Sequence, residues 1–377
     1  MSEFDKYIVQ GEPDKKAKAN AWQTAIGLQD VDGLKPSEYL IKTAVQHIEG
    51  DITIDQVKDM LDTYYQTKDV REQLDDERTE EADKVSARIT EILSEQSFSF
   101  TPDYLLRIHR RLFEGIYKHA GKLRDVNITK KEWVLNGDTV LYSNYDMLRE
   151  TLEYDFGQEK KTDYSVLNAD MAVKQICKFV SGIWQIHPFR EGNTRTTAVF
   201  IIKYLRSLGF DVNNATFEKN SWYFRNALVR ANYQNLQKGI YKETIHLERF
   251  FRNLLMGEDN VLMNSHLHIK AKELLDGVTP TSTPASTPSS VIPKSENVKR
   301  LISAIAENQL SVKEMMVAVG LKDRPNFIEY SLSPAMREGY VRMLYPDSPR
   351  HPRQKYMLTV KGLAVYKEMF AIHHGNS

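Results

Sequence analysis

The stretch His187-Pro188-Phe189-Arg190-Glu191-Gly192-Asn193-Thr194-Arg195 does most to constrain this chain, because it joins two apolar helical runs. Upstream, over 165–186, Ala172, Ile176, Phe179, Val180 and Ile183 recur at helical spacing. Cys177 within that run reads as a small core residue. Downstream, Ala198, Phe200, Ile201, Ile202 and Leu205 form a run apolar on most sides, which predicts a helix central to the core.

The nine residues between these runs concentrate chemistry. Gly192-Asn193-Thr194-Arg195 is a tight turn feeding a helix N-terminus, where free N–H groups and the helix dipole favour an anion, typically phosphate. Arg195 adds a cation with a planar donor fork. Glu191 is placed to hold a hard cation such as Mg²⁺. His187 is of the type that takes a proton from an incoming hydroxyl at neutral pH. Phe189 reads as an anchor that packs inward. Together these are the parts for nucleophilic attack on a metal-bound phosphate. On spacing alone, a merely polar helix–loop–helix corner fits equally well. No GxGxxG, HExxH or GxSxG competes, and Gly115 to Gly121-Lys122 misses the P-loop spacing and its Ser/Thr.

Bulk properties narrow the class. Of 377 residues, 41% are hydrophobic and 27% charged, enough for a sizeable core. Lys plus Arg equals Asp plus Glu at 51 each, so global charge requires neither nucleic acid nor membrane. A single cysteine excludes an internal disulfide framework and a CxxC metal knuckle and fits a reducing cytoplasm. The N-terminus lacks a signal-peptide core, and no apolar run reaches membrane-spanning length.

The expected fold is mainly α. Residues 1–64 read as a helical module, with a turn at Gly33 and a Thr53/Gln56 capping box. A core domain then covers 65–277. Within it, 65–98 is charge-rich (Glu80, Glu81, Asp83, Lys84) and reads as a solvated helix face. Thr101 and Pro102 open a helix carrying Leu105, Ile108, Leu112 and Ile116. His109 and His119 beside it read as surface or core-edge residues. Trp133 to Tyr142, centred on Asn136-Gly137, predicts a β-hairpin and a candidate flap. Two more amphipathic helices are expected at 221–233 and 241–256. Residues 278–294 are a Pro/Ser/Thr linker. Residues 295–377 follow the order of a winged helix, opened by a Ser311/Glu314 capping box.

HPFREGNTR resembles the signature of the Fic (filamentation induced by cAMP) family, written HPFx[D/E]GN[G/K]RxxR. Residues 105–124 resemble the family's first core helix, and the Asn136-Gly137 hairpin lies where the family carries its target-docking flap. The match spans about 100–256. It implies a Fic-type helical core and adenylylation, the transfer of AMP from ATP to a Ser, Thr or Tyr hydroxyl of a protein. His187 would be the general base and Glu191 the ligand of Mg²⁺ or Mn²⁺. Glu191, Gly192, Asn193, Thr194 and Arg195 would cradle the phosphates. Phe224 and Asn232 would flank the adenine, and Leu135, Asn136 and Gly137 would form the flap.

Two departures stand out. Thr194 replaces the family's glycine or lysine and would narrow the cradle. Ala198 replaces the second arginine, which in the family grips the outer phosphates. Residues 21–61 resemble the antitoxin-like module of some Fic proteins, in which a glutamate pairs with that arginine. The aligned residue is Asp32, the candidate inhibitory residue, and its expected partner is Ala198. Asp32→Gly is therefore expected to change activity little.

Two other classes stay open. One is a catalytically weak regulator or adaptor binding DNA or protein through 295–377. The other transfers a different group, such as phosphate or phosphocholine, or removes AMP. Residues 295–377 hold 12 Lys/Arg against 8 Asp/Glu, a net +4 that includes Arg350, Arg353 and Lys355 in the expected wing. A homodimer is among the assemblies this reading admits.

Overall fold

The computed structural model describes residues 3–67, 74–212, 214–270, 295–306, 308–344 and 354–359, with isolated positions beyond. These fall into two compact units, residues 1–132 with 138–262, and residues 133–137 with 263–377. The linker 278–294 lies outside the described residues except for Pro293.

The first unit is helical. Its N-terminal part comprises α1 (Asp5–Gln10), α2 (Pro13–Gly27), α3 (Glu38–Glu49) and α4 (Ile54–Thr67). Each boundary has a local cause. Gly33 takes φ 63° after a 3₁₀ turn over Leu28–Asp32, and the Ser37 hydroxyl caps α3 by accepting from Leu40 N. Thr53 and Gln56 form the expected reciprocal cap of α4. Trp22 is fully buried among Leu40, Ala44, Ile48, Val57 and Leu61. Its indole donates to His47 Nδ1 at 3.0 Å.

This part packs closely on the helices that follow position 64. α2 packs along α5 (Leu74–Ser94) and α10 (Asn214–Asn232). The approach is close enough that a Cβ on Gly27 would lie 2.4 Å from Glu218 Cα. The segment read as a solvated face also turns inward. Asp83 is buried and accepts from Ser37 N at 2.8 Å and Tyr65 Oη at 2.7 Å. Counting charges hid that role, because a buried carboxylate is satisfied only by partners distant in sequence.

The rest of the unit surrounds α9 (Asn193–Ser207), buried at every residue from Asn193 to Leu205. Against it lie α5, α6 (Pro102–Phe113) and α8 (Ala169–Ile186). α7 (Leu148–Glu159) supports α8, and α11 (Ile245–Met256) closes over α8 and α10. Phe98, Phe100, Phe156, Phe179, Phe200 and Tyr204 pack as one aromatic cluster. A fully buried side chain such as Phe200 contributes about 1.5–3 kcal/mol over an exposed one.

The second unit comprises α12 (Glu296–Ile305), α13 (Val312–Ala318) and a helical run from Arg324 to Arg337, followed by the antiparallel strands β1 (Val341–Met343) and β2 (Tyr356–Leu358). The Ser311/Glu314 capping box forms as expected. The helical run passes through a π turn at Ile328–Leu332, ahead of Pro334, which cannot donate a backbone hydrogen bond. Arg350 and Arg353 lie outside the described residues. Lys355 faces inward, 4% exposed and 3.9 Å from Glu314, and so does not form part of a basic wing.

The expected hairpin is not formed. Trp133–Leu135 is a 3₁₀ turn, followed by Asn136 and Gly137 at positive φ. Asn-Gly sets the turn as expected, but three consecutive buried residues suit a helical turn rather than a strand that alternates faces. Within the second unit, the Trp133 indole donates to the Leu358 carbonyl at 3.3 Å, and Ile269 N donates to the Val134 carbonyl at 2.9 Å.

Candidate active site

α8 ends at His187, which takes φ 52° and turns the chain out of the helix. Arg124 fixes that turn. Its Nε donates to the His187 carbonyl at 2.8 Å, Nη1 to the Val126 carbonyl at 2.7 Å, and Nη2 to the Ser143 carbonyl. Carbonyls at a helix C-terminus lack helical partners, and the guanidinium fork supplies them.

The His187 ring is 2% exposed, between Tyr142 at 4.3 Å and Trp184 at 5.2 Å. Its Nδ1 lies 3.2 Å from the Trp184 carbonyl, which can only accept, so Nδ1 carries the proton. Nε2 is left as the basic nitrogen, buried and with no hydrogen-bond partner among the described residues. Burial, reinforced by the nearby charges of Lys130, Arg225 and Arg124, pushes the imidazole well below its usual 6.5.

The loop after His187 is braced from inside. Phe189 is 1% exposed, as expected of an anchor, and stacks on His109 at 3.7 Å. His109 is not a surface residue. It is fully buried, accepts from Gly121 N through Nδ1 at 2.8 Å, and donates to the Glu191 carbonyl through Nε2 at 3.1 Å. Burial pushes its pKa down to about 3, so it stays neutral. Asn193 closes the loop, accepting from Phe189 N at 2.9 Å and donating to Phe189 O at 2.7 Å. Its amide is thus a brace within the loop. Gly192 sits at φ 71°, and a Cβ there would lie 2.4 Å from Phe113 Cε2. Only glycine fits both constraints.

Thr194 does not narrow the cradle as expected. Its hydroxyl accepts from the Trp184 indole at 3.0 Å, and both side chains are buried. Glu191 is half exposed, with Lys130 Nζ 4.0 Å from its carboxylate. Among the described residues, no cluster of three acidic, His or Cys side chains forms a metal cage. A lone carboxylate fits Mg²⁺ only when nucleotide phosphates supply further oxygens.

Arg195 is 1% exposed and wholly engaged. Asp32 Oδ2 makes an ion contact with its Nε at 2.8 Å. Glu81 Oε1 accepts from Nη2 at 2.6 Å, Gln29 Oε1 accepts from Nη1 at 3.0 Å, and Phe113 lies beneath the guanidinium at 4.8 Å. The expected pairing of Asp32 with position 198 is therefore replaced. Ala198 is buried and apolar, and Asp32 reaches the first arginine instead. Glu81 was missed from sequence because it lies in a run of charges that reads as solvent-facing. Arg225 was missed too. It pairs with the buried Glu132 at 2.8 and 3.0 Å, and Tyr142 Oη reaches the same carboxylate at 3.5 Å.

The expected adenine contacts divide. Phe224 is fully buried in the core, packed with Phe217, Phe250 and Phe251, and does not line the site. Asn232 is 6% exposed, with its amide donating to the Ser181 and Leu228 carbonyls.

The family model for the Fic/DOC family matches residues 99–205, the span that builds this site. The chain carries a Fic domain. A second model, for the C-terminal domain of filamentation induced by cAMP protein Fic-like, matches 296–359. Protein adenylyltransferase VbhT of Bartonella schoenbuchensis is 28% identical over 117 residues, covering 31% of this chain and 23% of that protein. A protein adenylyltransferase of Bartonella henselae is 25% identical over 142 residues, covering 35% and 26%. A probable protein adenylyltransferase, y4lH, of Sinorhizobium fredii is 26% identical over 125 residues, covering 33% and 61%. The chain thus spans about a quarter of the Bartonella proteins and under two thirds of the third. A Fic family protein from Desulfovibrio desulfuricans G20 superposes over 89% of this chain and 96% of its own, at 17% identity and a TM-score of 0.34. The N-terminal Fic domain of an effector from Bartonella sp. AR 15-3 covers 48% and 82%, at 18% and 0.39.

Proposed function

We propose that this Fic domain transfers AMP from ATP to a hydroxyl side chain of a target protein. One observation carries the reading: a histidine whose tautomer is set by the Trp184 carbonyl keeps Nε2 as an unpartnered base beside the N-terminus of α9. The names of the relatives support it. In the proposed step, the target's Ser, Thr or Tyr oxygen bonds to the α-phosphorus. The bond from that phosphorus to the β-phosphate bridging oxygen breaks, pyrophosphate leaves, and His187 Nε2 takes the hydroxyl proton. The first-turn N–H groups of α9 face the phosphates. A divalent ion held by Glu191 together with the phosphates would supply charge neutralisation. Arg195 can join the cradle only when Asp32 and Glu81 release it, so basal transfer is low.

Intact-mass spectrometry after incubation with ATP, Mg²⁺ and lysate tests this. A protein gaining the mass of one AMP, absent with His187→Ala, is the expected result. A different added mass would assign another transferred group. No addition with ATP, CTP, GTP or UTP would leave residues 295–377 to act as a DNA- or protein-binding adaptor.

A further inference from the structure

The contact between Thr194 and Trp184 crosses the active-site loop. Thr194 is the second residue of α9, and Trp184 is in the last turn of α8. The indole Nε1–H donates to Thr194 Oγ1 at 3.0 Å, with the two residues 1% and 7% exposed. Trp184 also holds His187 in two ways. Its carbonyl accepts from His187 N at 3.1 Å and from Nδ1 at 3.2 Å, and its ring meets the imidazole edge-on at 5.2 Å and 89°. The brace from Asn193 to Phe189 ties the loop to itself and does not reach the imidazole. The Thr194 hydroxyl is the only acceptor recorded for this buried indole N–H among the described residues, and a buried donor left without an acceptor shifts its ring to find one.

We propose that Thr194 is a positioning residue for His187, acting through Trp184: its hydroxyl pins the indole that packs edge-on against the imidazole and so holds the ring's orientation, while the Trp184 carbonyl sets its tautomer. Its side chain, turned to the indole, touches neither the proton nor the phosphate. Its effect is on how often Nε2 points at the incoming hydroxyl, and therefore on kcat rather than on nucleotide affinity. The kinetic arm of this inference rests on the transfer reading above. The spectroscopic arm does not.

The test compares Thr194→Val, of nearly the same shape but without an acceptor, with Thr194→Ser, which keeps the hydroxyl. Both are made in the full chain. The chain has four tryptophans, so the ¹⁵N–¹H indole signal of Trp184 is assigned by its loss in Trp184→Phe. In Thr194→Val that signal, and the His187 imidazole signals, should move. In Thr194→Ser they should stay near their native positions. Transfer kinetics should show kcat lower by about tenfold in Thr194→Val, with the KM for ATP within about twofold, and serine restoring most of the loss. Identical indole and imidazole signals in the Val and Ser variants overturn the proposal. So does an equal kcat in the two, or a loss confined to KM. If no protein transfers, wild type included, the transfer reading fails and the signals alone decide this one. If Thr194→Val does not fold, Trp184→Phe removes the donor and must displace the His187 imidazole signals. Unmoved signals there refute the proposal.

Discussion

Asp32 Oδ2 lies 2.8 Å from Arg195 Nε, and the guanidinium it covers is 1% exposed. The carboxylate comes from the 3₁₀ turn after α2 and the arginine from the first turn of α9, 163 positions apart in the chain. Asp32→Ala, or the near-isosteric Asp32→Asn, should release one edge of Arg195 toward nucleotide phosphate. Glu81 and Gln29 still hold the other edge, so the release is partial. We expect labelling to rise by roughly tenfold, the scale of one charge-assisted hydrogen bond. A rise below about twofold, measured with labelled ATP, would show that Asp32 does not restrain the site.

His187 should act as a base further into acid than a free imidazole. Burial, then the charges of Lys130, Arg225 and Arg124, lowers its pKa well below 6.5. The active form is the neutral one, and a lowered pKa preserves it as pH falls. The acid limb of kcat/KM should therefore lie below pH 6.5, with a flat profile through neutrality. A limb centred above 6.5 would mean that the imidazole is charged in the free protein.

Glu132 is 1% exposed and is the carboxylate on which both Arg225 and Tyr142 converge. Glu132→Ala takes from the largely buried Arg225 the carboxylate it pairs with, leaving only the more distant charge of Asp32, and should cost about 3 kcal/mol in urea unfolding. Glu132→Met with Arg225→Met removes both charges and should recover most of that loss. If the double variant is no more stable than the single, the cost comes from packing rather than charge.

Gly192→Ala meets two obstacles at once. φ is 71°, and the new Cβ would stand 2.4 Å from the ring of Phe113. We expect a loss of about 1–3 kcal/mol and no detectable transfer. Adding Phe113→Ala should relieve the clash but not the backbone strain. A Gly192→Ala protein with native melting temperature and activity would contradict the geometry of this loop.

Much of this protein was legible before folding. The helical spacing of Ile176, Phe179, Val180 and Ile183 set α8, and the apolar run from Ala198 to Leu205 set the buried α9. Periods of 3.6 and local caps such as Ser311/Glu314 are properties of neighbouring residues, so sequence carries them. The turn from His187 to Gly192 was legible for the same reason, because a turn between two helices is a local object. What only the tertiary structure decided is which distant groups meet. Glu81 looked solvated and is the partner of Arg195. His109 looked peripheral and is the buried platform under Phe189. Phe224 looked like a nucleotide contact and fills the core. Asp32 had lost the partner its alignment promised and found another. Burial and ion pairing depend on contacts between positions tens to more than a hundred residues apart, and the energy that selects them exists only once the helices have packed.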